Sequence, residues 1–315
     1  MALSIFAPVS IGNVSVGFDT LGLAITPIDG TLLGDVVSIK SAKTSSLKLS
    51  GQYVDKLPEN PQDNIVWQCL LAFERVLSNL EIEIKPVVLT LDKKLPVGSG
   101  LGSSACSVVA TLVALNKFYN EPLKEKELLR VMGQIEGKYS GSVHYDNVAP
   151  SFLGGLQLML PTEQICQSLP VFEDCYWVMA YPDIVVSTKM AREILPPSFD
   201  KQVTINFGQN LAGFVDASHR KDKALAFALL KDVIAEPYRH SLLPDFLPVR
   251  HQLIMQGSLA VGISGSGPTI FSVCDNLDIA EQNKAYMQEH YLQSKHGFVH
   301  ICKPDMIGAR EIKTS

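Results

Sequence analysis

Residues 95 to 107, Leu-Pro-Val-Gly-Ser-Gly-Leu-Gly-Ser-Ser-Ala-Cys-Ser, constrain this chain more than any other stretch. Gly98, Gly100 and Gly102 stand at alternate positions before Ser103 and Ser104, and the apolar run Val108 to Leu115 follows. Glycine adopts φ > 0 without steric penalty, so alternate glycines let the backbone turn its N–H groups inward and approach a ligand closely. The apolar run reads as a helix, which puts the helix N-terminus at the same spot. Orphan N–H donors and the positive end of the helix dipole make such a place a phosphate site. The competing reading is a plain Gly/Ser turn, capped by Ser103 or Ser104.

Three familiar phosphate or nucleophile loops differ from this stretch in pattern or in what surrounds them. Gly100-Leu-Gly102-Ser-Ser-Ala105 has the form of a dinucleotide fingerprint. That fingerprint calls for one helix, then a second parallel strand ending near an acidic residue. Here a second helical run, Leu123 to Gly137, stands where the strand belongs, and Glu121 falls in the turn between helices. No G-x-x-x-x-G-K-[ST] and no G-x-S-x-G occurs, so neither a Walker loop nor a nucleophile elbow is present.

Strand candidates are Val36 to Ile39, Pro86 to Leu91, Gly155 to Leu160, Tyr176 to Ala180, Thr269 to Val273 and Phe298 to Cys302. Helix candidates are Asn64 to Leu77, Ser103 to Lys117, Leu123 to Gly137, Phe207 to Ala217, Lys221 to Lys231 and Asp278 to Tyr291, the last with Asp278 as N-cap. Helices and strands do not alternate one for one, which suits α+β layers. The polar, proline-bearing stretch Pro161 to Pro170 is the best boundary, predicting domains at 1–162 and 163–315.

A net charge of −5 with no clustered basic run argues against nucleic acid and against a polybasic membrane anchor. No apolar segment approaches the roughly 20 residues needed to span a bilayer, and the N-terminus has no signal-peptide pattern, so a cytoplasmic protein is expected. The six cysteines (Cys69, Cys106, Cys166, Cys175, Cys274, Cys302) include no Cys-x-x-Cys pair and read as reduced core residues.

Two further segments complete a pattern: Ala7-Pro-Val-Ser-Ile-Gly-Asn13-Val-Ser-Val-Gly17-Phe-Asp19-Thr-Leu-Gly22 near the start, and Gly262-Ile-Ser-Gly265-Ser-Gly267-Pro-Thr-Ile-Phe271 near the end. With Pro96-Val-Gly-Ser-Gly-Leu-Gly-Ser-Ser-Ala, they resemble in order and spacing the three motifs of the GHMP small-molecule kinases. Gly141-Ser-Val-His144-Tyr-Asp146-Asn147-Val-Ala-Pro150, Val186-Ser-Thr188-Lys-Met-Ala-Arg192-Glu-Ile-Leu-Pro196 and Glu236-Pro-Tyr-Arg239 are similar to segments of the homoserine-phosphorylating branch. The resemblance runs from about residue 5 to residue 310. It implies an α+β, two-domain GHMP kinase fold: an N-terminal domain like the second domain of ribosomal protein S5, then a ferredoxin-like domain. It also implies ATP as co-substrate, Mg²⁺, L-homoserine as acceptor, a step toward threonine, and a homodimer.

Phosphoryl transfer needs charge neutralisation, positioning and an oriented acceptor hydroxyl. By the resemblance, Pro96, Val97, Gly98, Ser99, Gly100, Leu101, Gly102, Ser103, Ser104, Ala105 and Cys106 supply the nucleotide cradle, with Asn64 on the adenine side. Ser104 and Glu136 are the implied Mg²⁺ ligands, a hard-oxygen pair that suits a cation keeping several waters. Asp19, with Asn13 beside it, matches the position that meets the acceptor's ammonium. Arg192 and Arg239 match the carboxylate clamp, a task suited to a bidentate guanidinium. His144 matches a substrate-pocket position, Thr188 one near the phosphates, and Asn147 one that orients the hydroxyl. Asp146 is either the base or a structural anchor. Mevalonate-type or sugar-type kinases and non-catalytic ligand-binding regulators share the fold. The former act on acceptors without an ammonium, and the latter are expected to lack metal or phosphate residues.

Overall fold

The computed structural model describes residues 2–140 and 143–313. Its strands are β1 (Leu3–Pro8), β2 (Ser10–Gly12), β3 (Leu21–Pro27), β4 (Gly34–Ser41), β5 (Ser46–Ser50), β6 (Val87–Asp92), β7 (Leu156–Met159), β8 (Cys166–Leu169), β9 (Tyr176–Tyr181), β10 (Ala260–Ile263), β11 (Ile270–Cys274), β12 (Phe298–Pro304) and β13 (Arg310–Glu311). Its α-helices are α1 (Ile65–Asn79), α2 (Ser103–Phe118), α3 (Glu125–Ser140), α4 (Val148–Leu153), α5 (Thr188–Glu193), α6 (Lys201–Arg220), α7 (Lys223–Leu229), α8 (Glu236–Arg239), α9 (Phe246–Met255) and α10 (Leu277–His290).

Two sheets organise the chain. The first has the order β13-β1-β4-β6-β5, and the second runs β10-β11-β9-β12-β3-β7-β8 with β2 attached to β3. Helix α2 packs on β1 and β4 of the first sheet and against α1 and α3. Its residues from Ala105 to Asn116 are all buried, the signature of a helix apolar on every face and enclosed by neighbours. A second core forms where α9 and α10 cover the other sheet, with Val178, Leu253, Ile270, Met287 and Ile301 in contact. Two helices do follow the glycine loop with no strand between, which is the α+β arrangement rather than a doubly wound sheet.

Several local expectations are corrected. The N-cap of α10 is Asn276, whose side chain accepts from Ile279 N, and Asp278 lies inside the first turn. The stretch Pro161 to Pro170 contains a strand that the pattern did not show, β8, which pairs antiparallel with β7. The expected Phe207–Ala217 helix extends over Lys201–Arg220, started by Asp200 accepting from Val203 N. Conversely, the Lys221–Lys231 helix shrinks to Lys223–Leu229. All six cysteines are buried free thiols. Among the described residues no helix is long and apolar enough to cross a membrane.

Candidate active site

The glycine loop lies between the two sheets, and its outward carbonyls are tied down one after another. Gly98 O accepts from Val186 N at 3.1 Å, Ser99 O from Thr269 N at 3.1 Å, and Leu101 O from Ser10 N at 3.4 Å. Gly100 O accepts from Ser264 Oγ at 2.7 Å. Each of the three glycines has φ between 66° and 78°. Gly102 is the N-cap of α2, in the left-handed region, with no side-chain cap bond. The expected alternative of a serine cap is therefore not what forms: Ser103 Oγ turns back to Leu95 O at 3.4 Å. An uncapped start on a buried helix leaves its first N–H groups available to an anion.

Ser104, the second residue of that helix, donates to Glu136 Oε1 at 2.5 Å. Glu136 comes from the last part of α3, which packs on α2. Burial raises the Glu136 carboxyl, while the Ser104 hydrogen bond and the nearby Lys93 charge partly offset that. A hydroxyl and a carboxylate converge beside an anion cradle, the hard-oxygen set that a magnesium ion takes.

Beneath the first turn of α2 lies a brace that sequence reasoning missed. Lys93 Nζ donates to Asp35 Oδ2 at 2.5 Å, to Ser103 O at 2.9 Å and to Ser107 Oγ at 3.0 Å. Ser107 Oγ donates to the same Asp35 oxygen at 2.6 Å. Lys93 and Asp35 are buried, with exposures of 2% and 0%. A charge pair so enclosed persists only with every donor satisfied. The only sequence signal was a lysine entering an apolar strand end just before the glycines.

On the other side of the cradle, the N-terminal motif carries Asn13 and Asp19 into a second cluster. Asn13 Oδ1 accepts from Asp19 N at 2.9 Å, and Asn13 Nδ2 donates to Gly265 O at 3.2 Å. The Asp19 carboxylate takes both terminal nitrogens of Arg192, at 2.7 and 3.1 Å. His144 Nδ1 lies 3.7 Å from Asp19 Oδ1. Burial lowers the His144 pKa, aided by Arg192 and opposed by Asp19. Arg239, 3% exposed, spends Nε on Ala191 O at 3.0 Å and Nη1 on Gly265 O at 2.9 Å. Both guanidinium groups stand over the Phe18 ring, at 5.8 and 5.3 Å.

Asp146 and Asn147 join the two clusters. Ser10 Oγ donates to Asn147 Oδ1 at 3.0 Å. A Cβ on Gly102 would lie 2.9 Å from Asn147 Oδ1, so the amide side chain rests on the first turn of α2. Asp146 faces the cluster around Asp19, its carboxyl oxygen within 4.8 Å of polar side-chain atoms of Asp19 and His144. Burial, then repulsion from Asp19, pushes the Asp146 carboxyl up to about 7. Gly12 and Gly22 are required here: a Cβ on Gly12 would meet Asp146 Oδ2 at 2.7 Å, and one on Gly22 the Asp146 carbonyl at 1.8 Å. Gly141 and Ser142, which open this motif, lie outside the described residues.

The two remaining candidates sit at the edges. Asn64 caps α1 by accepting from Val66 N at 2.9 Å. Its buried Nδ2 has no hydrogen-bond partner among the described residues. Thr188 is the exposed first residue of α5, behind the N-cap Ser187. Arg192 is on the same helix, four residues along and on the same face.

Family models were found for both halves of the chain. One described as GHMP kinases N terminal domain matches residues 64–155, and one described as GHMP kinases C terminal matches residues 214–293. Among solved structures, homoserine kinase from Cytophaga hutchinsonii is 31% identical, with a TM-score of 0.88 over 99% of this chain and 97% of that one. Phosphomevalonate kinase from Streptococcus pneumoniae (12% identity, TM-score 0.70, 99% of each chain) shares the fold. So does L. major mevalonate kinase in complex with R-mevalonate (16% identity, TM-score 0.68, 95% of each chain). Two family models laid in order along more than half the sequence, and a relative superposing on nearly all of it, place this chain in the GHMP kinase family.

Proposed function

We propose that this chain transfers the γ-phosphoryl group of ATP to the side-chain hydroxyl of L-homoserine, forming O-phospho-L-homoserine and ADP on the way to threonine. The observation that carries the reading is the charge pattern beside the cradle. Asp19 matches an ammonium, and Arg192 with Arg239 matches a carboxylate, all held around Phe18. An acceptor without an ammonium offers the Asp19 carboxylate no partner on the ligand.

In this reading the glycine loop and the start of α2 hold the phosphates, and Asn64 meets the base through its unpaired amide. Ser104 and Glu136 hold Mg²⁺, which when bound neutralises phosphate charge. Thr188 faces the phosphates from α5. Asn147, fixed by Ser10, orients the acceptor hydroxyl. The hydroxyl oxygen bonds to the γ-phosphorus as the bond to the β-γ bridging oxygen breaks. A loose transition state puts little charge on the nucleophile, so the proton leaves late and a carboxylate near neutrality suffices. Asp146 is that group. The chain acts as a cytoplasmic homodimer built from units 1–162 and 163–315.

Incubation with ATP, Mg²⁺ and separate acceptors, read by ADP release and ³¹P NMR, tests the function. L-Homoserine is expected to give a phosphomonoester and mevalonate or galactose none. Turnover of mevalonate or a sugar in preference, or of nothing, overturns the reading.

A further inference from the structure

The acceptor pocket contains a salt bridge of its own. Arg192 and Asp19 meet through two parallel hydrogen bonds, and their side chains keep exposures of only 29% and 28%. The neighbours do not replace either partner. Arg239 has Nε and Nη1 on two backbone carbonyls, which leaves Nη2 for a ligand, and burial disfavours a charge on His144, whose Nδ1 lies 3.5 Å from Arg192 Nη2. Asp146 is the other acid facing the pocket, and burial favours its neutral form. The closed pair is also incomplete: Arg192 Nε is buried and has no acceptor among the described residues.

We propose that Asp19 and Arg192 close the empty pocket on each other, so that a ligand opens it only by bringing both a cation and a carboxylate. The inference rests on the acceptor reading above and adds a selection rule to it. A zwitterion exchanges one internal ion pair for two new ones, and its carboxylate supplies the acceptor that Arg192 Nε lacks. A ligand with a single charge frees one protein group only by leaving the other half-buried and unpaired, which removes most of the gain. Selection of the zwitterion thus comes from a cost imposed on its competitors.

Ligand-observed NMR titration of the intact protein tests this with L-homoserine, 4-hydroxybutanoate (no ammonium), 3-aminopropan-1-ol (no carboxylate) and propan-1-ol. In the wild-type protein each single-charge analogue is expected to bind at least about 10²-fold more weakly than L-homoserine, and within about tenfold of propan-1-ol. Removing one protein partner then produces a gain. D19N is expected to bind 4-hydroxybutanoate about tenfold tighter than wild type, because Arg192 has lost its internal competitor. R192Q is expected to bind 3-aminopropan-1-ol tighter by a similar factor. Residue 19 has φ 57°, a conformation asparagine tolerates, so D19N keeps the turn.

The proposal is overturned when variants that melt cooperatively bind these analogues no tighter than wild type. Should one variant not fold, the other decides. Should neither fold, the wild-type series decides, and stepwise additive losses overturn the proposal. Failure of wild type to bind or phosphorylate L-homoserine at all is a different result, which removes the acceptor reading itself.

Discussion

Asp146 is the residue whose chemistry depends most on its surroundings. Burial holds its carboxyl at about 7, against an ordinary value of 3.8. In the proposed role of proton acceptor, Asp146 is expected to make kcat rise with pH and level off above about 7. Asp146→Asn is expected to lose that limb and at least about 10²-fold in kcat, checked by pH–rate profiles of both proteins. The same shift has a sign in stability. Because the native state holds the Asp146 proton more tightly than the unfolded chain, the contribution of Asp146 to stability is fully present below pH 4 and is lost as pH rises through about 7, by on the order of 4 kcal/mol. Urea midpoints at pH 5 and pH 8 are therefore expected to improve for Asp146→Asn relative to wild type as pH rises. Glu236, also raised to about 7 by burial, contributes its slope equally to both proteins. Glu136→Gln keeps the shape opposite Ser104 and removes the charge. Its expected loss in kcat is about 10²-fold, or roughly 3 kcal/mol of transition-state stabilisation. Wild-type turnover in that variant at ordinary Mg²⁺ would be inconsistent with the metal role. Glu136 and Asp146 were singled out by the motifs they resemble, with Asp146 left as base or anchor, but not the burial that tunes them, since burial depends on which distant elements close over a side chain.

At the scale of elements, helix α2 and its approach form the glycine cradle, and the short helix α5 ties that cradle to the Asp19 cluster. The glycines of the approach are requirements of geometry. At Gly102 φ is 66°, and a Cβ there would lie 2.7 Å from Ser10 Oγ as well as beside Asn147. Gly102→Ala therefore forces a left-handed alanine, costing about 1–2 kcal/mol, and shifts Asn147 off the helix start. KM for ATP is expected to rise about tenfold or more and kcat to fall with it, measured by initial rates. An unchanged kcat/KM for ATP would mean the loop does not cradle the phosphates. The loop and α2 were readable from residues 95–118 alone because glycine spacing and helical propensity are local. Helix α5 was not: six residues between prolines carry no periodic signal, and it stays in place through Val186 N on Gly98 O and Arg239 on Ala191 O.

At the scale of the molecule, neither sheet belongs to one half of the chain. β13, from the C-terminal end, pairs with β1 in the first sheet, and β3, from the N-terminal part, pairs with β12 in the second. Residues 1–162 expressed alone lose β12 and β13, which leaves β1 without one neighbour and the Ile25–Pro27 end of β3 unpaired. That fragment is expected to show no cooperative thermal transition by circular dichroism, and a sharp one would show that the N-terminal unit folds by itself. The chain's local order explains what was visible beforehand. The glycine cradle, the buried helix after it and the back-to-back helices follow from short-range spacing, and the resemblance of whole motifs singled out Asn13, Asp19, Glu136, Asp146, Asn147, Arg192 and Arg239, so the sequence by itself determined the class of fold and the candidate residues. Strands such as Leu21–Pro27 and Ala260–Ile263 escaped because a short apolar run buried on both faces has no alternation to read. The buried Lys93–Asp35 brace and the Asp19–Arg192 pair join residues 58 and 173 positions apart. Only the tertiary structure decided those, because an ion pair forms where the packed chain removes water from both partners at once, and no spacing along the sequence encodes that meeting.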